Sequence, residues 1–555
     1  LSEQWLPSEH GSEKGALQQR VARGLTWTLI DTWGTQLLGL IVFVVLAKLL
    51  LPDDFGLVAL AAVFVAFAQL LVDQGLGDAL IQRRTVTRSE IDTAFWVAVV
   101  TGILLTAIGI VIAEPMAQAL HQPRLAPIIQ ALSLTFVLAA LNSIQMALLR
   151  REMRFRSLAI RKLSAVAGGG AVGIVMALGN YGAWALVGQA ITNAAISVVM
   201  LWTVSPWRPG LQVSRSDFRS LFSFGINVVA GDILNFLSRN VDNLLIGAAL
   251  GLTPLGFYAV GYRILDTTQQ LLVNFARKLA FPIFSRLQHD TERLRRAYAR
   301  VTRAVSVVIL PGYIGLALVA QEAIVVIFGP QWAESGPVAA VLFLIGPVLT
   351  VQLFSGALLN GVGHPEVTFR IRLVTTIVNV AGFFIAVFFY KEIVAVAAAF
   401  VIRGYLLIPL ILWWVGRYAN VNISDQLRGL RGTAIATVVM AAAVVAVKFA
   451  LLGHVPPWLL LLAEVAVGMV TFLAALLVVD PPLVREVTVV ALQAMPGGGR
   501  VARILKVQMP AGAGRGLRLR TRVPAEETVT TGDSVGAESR STLGGTPSDE
   551  ALGDV

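Results

Sequence analysis

The amino-acid sequence predicts an all-α polytopic membrane protein of about 14 transmembrane helices, arranged as two parallel six-helix bundles followed by two extra C-terminal helices. Two observations lead to the class. Apolar residues make up 56% of the 555 residues and charged ones only 14%, whereas a soluble domain carries about 25% charge. The apolar residues also come in runs of about 20, the length at which a helix crosses the hydrocarbon core. Backbone groups in lipid must pair internally, and barrel strands would read as short alternating segments, so helices are the fold that fits.

Windows of about 19 residues place spans at 25–49, 55–80, 93–114, 126–149, 158–178, 182–204, 218–249, 253–276, 303–328, 337–359, 368–390, 392–416, 432–452 and 457–480. The fifth is broken by Gly168, Gly169 and Gly170, which with Gly173 allow close approach or a bend and read as packing features, and the seventh and eighth are amphipathic. Loop charges test this count, because Lys and Arg collect on the cytoplasmic side of short loops. One set of alternate loops holds only Lys48, Arg124, Lys391 and Lys448. The other carries Arg83, Arg84, Arg88, Arg150, Arg151, Arg154, Arg156, Arg208, Arg286, Arg293, Arg370, Arg417 and others. Both termini are therefore expected in the cytoplasm. The formal charge of +11 is an orientation signal with contact to anionic inner-leaflet lipids, and no nucleic-acid partner is needed to explain it.

The expected organisation is a cytoplasmic segment 1–24, a first lobe 25–204, a cytoplasmic loop 205–217, a second lobe 218–416 and a helix pair 432–480. Within the second lobe, 277–303 reads as a basic amphipathic connector lying on the membrane surface. A cytoplasmic tail 481–555 follows, first basic and then too poor in apolar residues to order itself. The first 24 residues include Glu3, Glu9 and Glu13 and lack a basic start, so the first span reads as a retained helix and not a signal peptide.

Cysteine is absent, and the five histidines show no paired ligand spacing. Thiolate chemistry is excluded, and no metal site or other cofactor is expected. There is no Gly-x-x-x-x-Gly-Lys-Ser/Thr sequence, so no ATP hydrolysis is proposed.

The chain repeats itself. Leu51-Pro52-Asp53-Asp54-Phe55-Gly56-Leu57-Val58-Ala59 corresponds to Thr253-Pro254-Leu255-Gly256-Phe257-Tyr258-Ala259, and Ala147-Leu148-Leu149 to Ala357-Leu358-Leu359. Since six is even, the two halves share one orientation and are parallel repeats about an axis along the membrane normal.

Three arginines lie inside apolar segments, where each costs about 2.5–3.5 kcal/mol on insertion scales. Arg239 sits about 15 Å before the end of the seventh span, and Arg263 and Arg403 lie equally deep after the starts of the eighth and twelfth. All three fall at the midplane. Guanidinium offers a planar fork of donors that matches phosphate oxygens, which suggests a diphosphate guest. The alternative is internal neutralisation, with Asp242 three residues after Arg239 and Asp266 three after Arg263, spacings that share a helix face. Arg403 has only Glu392, at the far end of its helix. In the first lobe Asp31 and Asp73 are candidates for ion coupling, since intramembrane carboxylates exchange protons or hold Na⁺; cavity walls or hydrogen bonds to Asn142 and Gln145 are the alternative. Asn142, Asn193 and Asn235 are candidate sugar contacts or helix-to-helix ties.

The Gly24-Leu25-Thr26-Trp27 opening, the Pro52–Gly56 turn, the stretch Asp73-Gln74-Gly75-Leu76-Gly77-Asp78-Ala79-Leu80-Ile81-Gln82 and the stretch Arg239-Asn240-Val241-Asp242-Asn243-Leu244-Leu245-Ile246-Gly247 resemble the Wzx-type polysaccharide-unit flippases. These belong to the multidrug/oligosaccharidyl-lipid/polysaccharide exporter superfamily, and the likeness covers about 25–416. The resemblance implies alternating access. A polyprenyl-pyrophosphate-linked oligosaccharide would move from the inner to the outer leaflet of the bacterial cytoplasmic membrane, without covalent change, to supply lipopolysaccharide or exopolysaccharide synthesis. Polysaccharide polymerase machinery is then a further expected partner. Two other readings stay open, an ion-coupled drug or cation exporter of the same superfamily and a membrane-embedded polysaccharide polymerase. The first would centre acids or aromatics instead of arginines, and the second usually needs a large outer loop.

Overall fold

A computed structural model describes residues 30–73, 77, 80–81, 83, 85–273 and 290–494. The described residues contain helices and no strand. The first lobe comprises α1 (Thr35–Leu49, entered through a π turn Ile30–Gly34), α2 (Pro52–Asp73), α3 (Arg88–Ala119), α4 (Leu125–Arg151), α5 (Phe155–Leu178) and α6 (Ala183–Val204). In the second come α7 (Arg215–Ala249), α8 (Leu252–Thr268, running on into a π turn Gln269–Val273), α9 (Thr291–Phe328), α10 (335–361, in three pieces), α11 (Pro365–Ile385) and α12 (Ile393–Ala419). Then α13 (Ile423–Leu451), α14 (Pro457–Val479) and α15 (Pro481–Ala494) follow. The chain divides into units Leu1–Val487 and Thr488–Val555; the described part of the second, 488–494, is the end of a helix.

Twelve helices among the described residues are long and apolar enough to cross a membrane, two fewer than the fourteen expected. The two outside this set are α7 and α8. They carry Arg239, Asp242, Arg263 and Asp266, so their polar content has a position in the fold to explain it.

Helix packing repeats with the chain. In the first lobe α1 packs on α5, α2 and α3 on α4, and α6 on α4 and α5. Adding six to every number gives the second lobe: α7 on α11, α8 and α9 on α10, and α12 on α10 and α11. The lobes meet chiefly through α2 against α8, with α2 and α3 also touching α7. The pair α13–α14 packs on α9.

Local sequence sets the helix ends. Proline disfavours helical backbone in the residue before it, and it suits the first position of a helix. Accordingly Leu51 lies outside both helices and α2 starts at Pro52, after α1 has stopped at Leu49 with Leu50 extended (φ −109°, ψ 161°). Asp53 and Asp54 lie in the first turn of α2, where carboxylates complement the helix dipole. Asp54 also accepts a hydrogen bond from the Ala183 amide, 3.0 Å, at the start of α6, and Arg124 reaches both acids (2.8 and 3.4 Å). A capping box of Thr87 and Glu90 starts α3. Between α7 and α8 the chain turns at Gly251, whose φ of +99° favours glycine.

Where α2 and α8 begin, they cross at a pair of glycines. A Cβ on Gly56 would lie 1.8 Å from the Leu252 carbonyl oxygen, and one on Gly256 would lie 1.9 Å from the Pro52 carbonyl oxygen. The contact is reciprocal and joins residues that the sequence repeat aligns. Beside it Trp332, fully buried, donates from Nε1 to the Ala47 carbonyl oxygen (2.7 Å) and sets its ring edge-on to Phe55 at 5.2 Å. That carbonyl is in the last turn of α1, where helices leave acceptors unpaired.

Several expectations are revised. Residues 168–170 lie inside an unbroken α5, where a Cβ on Gly169 would sit 2.7 Å from the Gln189 carbonyl oxygen; the glycines give the close approach of α6 expected of them without breaking the span. The basic segment 291–303 forms the first turns of the 38-residue α9, since no breaker separates it from the ninth span; 277–289 lies outside the described residues. The tenth span is broken near Gly346-Pro347, where proline lacks the donor that a continuous helix needs. At the start of the tail, where no disorder is expected, α15 forms a helix, and Asp480 just before it receives two hydrogen bonds from Arg303 (2.8 and 2.7 Å).

Candidate functional site

The three arginines keep their expected positions along their helices. Arg239 is ten residues before the end of α7 at Ala249, Arg263 eleven after the start of α8 at Leu252, and Arg403 ten after the start of α12 at Ile393. Each is about 15–17 Å along its helix. Their surroundings differ.

Arg239 is exposed at the seam between the lobes. Its side chain keeps 57% of its accessible surface, and its closest acid is Asp266 of α8 at 3.7 Å, too long for a hydrogen bond. Three residues earlier, on the same helix face, Phe236 meets Phe67 of α2 (ring centroids 5.4 Å). Asp266 accepts from Gln270 (2.8 Å), and Gln270 is in turn hydrogen-bonded to Gln36 in the first turn of α1. Arg263, also exposed, has its guanidinium carbon 5.9 Å from the Phe43 ring of α1, within cation–π range. Arg263 thus touches the first lobe directly, and Arg239 shares the α7 face whose Phe236 does so.

Arg403 is more enclosed. Its guanidinium carbon stacks 4.5 Å over the Phe400 ring, and its Nε is buried without a hydrogen-bond partner. Asp242, Tyr258 and Tyr262 lie within electrostatic reach of it. Asp242 is 2% exposed and accepts from the Tyr258 hydroxyl (2.7 Å) and the Asn243 amide (2.9 Å). Tyr262 stacks on Tyr258 at 6.0 Å and meets Phe400 edge-on at 6.3 Å. It also lies within electrostatic reach of both Arg239 and Arg403. One aromatic and carboxylate cluster therefore connects two of the three arginines, while Arg263 stands on the α1 side.

The expected pairs along single helices, Arg239 with Asp242 and Arg263 with Asp266, do not form. Asp242 is turned into α8, where the Tyr258 hydroxyl satisfies it, and Arg263 is turned to Phe43; Asp266 instead faces Arg239 across the helix pair. Arg403, which has no nearby acid on its own helix, has Asp242 of α7 within electrostatic reach. Pairs between helices are invisible to a search along one helix. Tyr258 and Tyr262 were missed for that reason, although their i, i+4 spacing was available.

The first lobe holds a cavity of about 420 Å³ lined by Gln69 of α2, Thr135 and Asn142 of α4, and Gln189, Asn193 and Ser197 of α6, with no charged residue in its lining. The Asn142 Oδ1 is buried and has no hydrogen-bond partner. Two of the three candidate asparagines thus share one uncharged polar wall. The side chains of Asn235, Asp31 and Asp73 lie outside the described residues. Next to this cavity on α4, Gln145 is fully buried with both amide atoms unpartnered. In the second lobe the Asn379 amide donates to the Ser238 carbonyl oxygen at 3.0 Å, and Ser238 shares a hydrogen bond with Thr376 (2.6 Å), which ties α7 to α11. Among the described residues no group of three or more metal-ligating side chains occurs.

The sequence profile of a family described as "Polysaccharide biosynthesis protein" matches residues 45–337. The succinoglycan biosynthesis transport protein ExoT of Rhizobium meliloti is 27% identical over 473 residues, 84% of this chain and 94% of that protein. The lipopolysaccharide biosynthesis protein WzxC of Escherichia coli is 28% identical over 65% of this chain and 74% of its own length. Among solved structures, the lipid II flippase MurJ in an inward closed conformation superposes with a TM-score of 0.66 at 13% identity, over 83% of this chain and all of that one. An inward-facing multidrug resistance MATE transporter superposes with a TM-score of 0.56 at 14% identity, over 69% and 94%.

Proposed function

Since this chain belongs to the polysaccharide biosynthesis protein family, we propose that it is a flippase that carries a polyprenyl-pyrophosphate-linked oligosaccharide from the inner to the outer leaflet of the bacterial cytoplasmic membrane. The single observation that carries this reading is the exposed Arg239 at the seam, only loosely held by Asp266 at 3.7 Å. A guanidinium kept at the midplane but not locked into a hydrogen-bonded pair is ready to exchange its partner for a phosphate oxygen. Arg263, resting on a ring of the opposite lobe, supplies a second fork. Arg403, enclosed with Asp242 and the two tyrosines, holds the site's charge balance.

The glycan follows from the first-lobe cavity. Sugar hydroxyls need neutral donors and acceptors in a wet, uncharged wall, and Gln69, Asn142, Gln189 and Asn193 provide them. Because α2 contributes Gln69 and also meets α7 and α8, head and glycan sites share a helix. Nothing covalent happens to the passenger; rocking of the lobes about the seam moves it. With both termini read as cytoplasmic from the loop bases, the glycine crossing and Trp332 belong to the outer side and would close it. Anionic lipids of the inner leaflet then meet the basic first turns of α9. A drug or cation passenger fits less well, since guanidiniums at the seam would repel it.

The test is flipping in proteoliposomes. A fluorescent polyprenyl-pyrophosphate oligosaccharide, loaded on one leaflet, is expected to become accessible to an impermeant quencher on the other side only when the protein is present. No increase over empty vesicles, with folded protein confirmed in the same preparation, overturns the proposal.

A further inference from the structure

Where α13 and α14 pack on α9 of the second lobe, three charged side chains meet in an apolar seam. Lys448 of α13 donates to the Leu318 carbonyl oxygen (2.8 Å) and to Glu322 Oε2 (2.9 Å), both on α9. Its nitrogen is 3.9 Å from Glu464 Oε1 of α14, beyond hydrogen-bond distance. Glu464 is fully buried, and neither carboxylate oxygen has a hydrogen-bond partner. Glu322, itself 7% exposed, lies within electrostatic reach of it. The surrounding seam is built from Val319, Met440, Val444 and Phe472.

The charges do not balance. Two buried carboxylates share one ammonium whose hydrogen bonds go to α9, and an ionised carboxylate without a donor in such a seam is strongly disfavoured. One more positive charge would settle it. Other charged groups on these elements are elsewhere: Arg303 pairs with Asp480 nineteen residues away along α9, and His454 in the α13–α14 turn is held on the Leu452 carbonyl oxygen (3.2 Å). We propose that Glu464, with Glu322 and Lys448, forms a binding site for one monovalent cation, H⁺ or Na⁺, that fastens the α13–α14 pair to α9. As a proton, the cation would sit on a Glu464 oxygen; as Na⁺, it would lie between the two carboxylates. The site is independent of the identity of the passenger.

The test is thermal unfolding of the purified full chain in detergent, with melting temperature read against pH in choline chloride and against NaCl replacing choline at alkaline pH. A ligand that binds only the folded state raises the melting temperature. The wild type is expected to melt higher on acidification, on adding Na⁺, or both. A response to pH alone identifies the proton, and a response to Na⁺ at fixed pH identifies the metal ion. Glu464→Gln is expected to lose that response and to melt near the cation-loaded wild type. Lys448→Met, which leaves two uncompensated carboxylates, is expected to enlarge it. An unresponsive wild type, or a response of unchanged size in Glu464→Gln, overturns the proposal. If Glu464→Gln does not accumulate, an unchanged response in Lys448→Met overturns it equally.

Discussion

Gly56→Ala should open the end of the molecule where α2 and α8 begin. The added methyl carbon would stand 1.8 Å from the Leu252 carbonyl oxygen, against the 3.4 Å of ordinary contact, so the helices must part by about 1.6 Å. The obstructing atom is backbone and cannot rotate away. Overpacking of this kind costs about 1–3 kcal/mol, and all of it falls on the conformation in which the crossing is closed. The ratio of closed to open molecules should therefore drop about 5–150-fold. The chain has no cysteine, so spin labels can be placed on Leu51→Cys and Thr253→Cys without further changes. Electron-electron distance measurements should show the short population of the parent depleted in Gly56→Ala, and Gly256→Ala should reproduce the effect through Pro52. If both alanine variants keep the parental distance distribution, the glycine crossing does not set closure and the reasoning fails.

Trp332→Phe keeps the ring contact with Phe55 but removes the hydrogen bond to the Ala47 carbonyl oxygen, which Gln331 still approaches at 3.4 Å, at a cost of about 0.5–1.5 kcal/mol; a lower melting temperature and a shift toward the open distances should follow, and unchanged melting would show that the bond adds nothing. Asn193→Leu should slow flipping of the glycan-bearing lipid while leaving the bare polyprenyl pyrophosphate unaffected; equal loss for both would remove the cavity from glycan recognition. Asp54→Asn should lower the melting temperature by weakening the tie to the Ala183 amide and Arg124, by about 1 kcal/mol, as a denaturation series in detergent would show.

The helices were legible because hydropathy depends on composition over twenty residues, and tertiary detail barely alters it. The repeat was legible from aligned short stretches, among whose matched residues are Gly56 and Gly256. Their structural reason, two backbones in mutual contact, lies in a pairing that no sequence window contains. The positions of the arginines along their helices followed from helix rise, whereas their partners did not. Asp242 turned to Tyr258 and Asp266 to Arg239, because side-chain direction depends on how α7 and α8 rotate against each other. Lys448 shows the same limit from the other side. Counted as a loop base for orientation, it sits on α13 between two buried acids. Glu464 carries no motif and becomes visible only when three helices are assembled around it. The break of α10 at Gly346-Pro347 was readable in principle from proline chemistry.

The most direct measurement compares flipping of one glycan on polyprenyl pyrophosphate and on polyprenyl monophosphate, in the wild type and in Arg239→Gln. A charged hydrogen bond is worth about 1.5–3 kcal/mol, so the wild type should prefer the diphosphate and the variant should lose about 10–150-fold of that preference while remaining folded. An undiminished preference in Arg239→Gln would contradict the assignment of the seam arginine to the diphosphate.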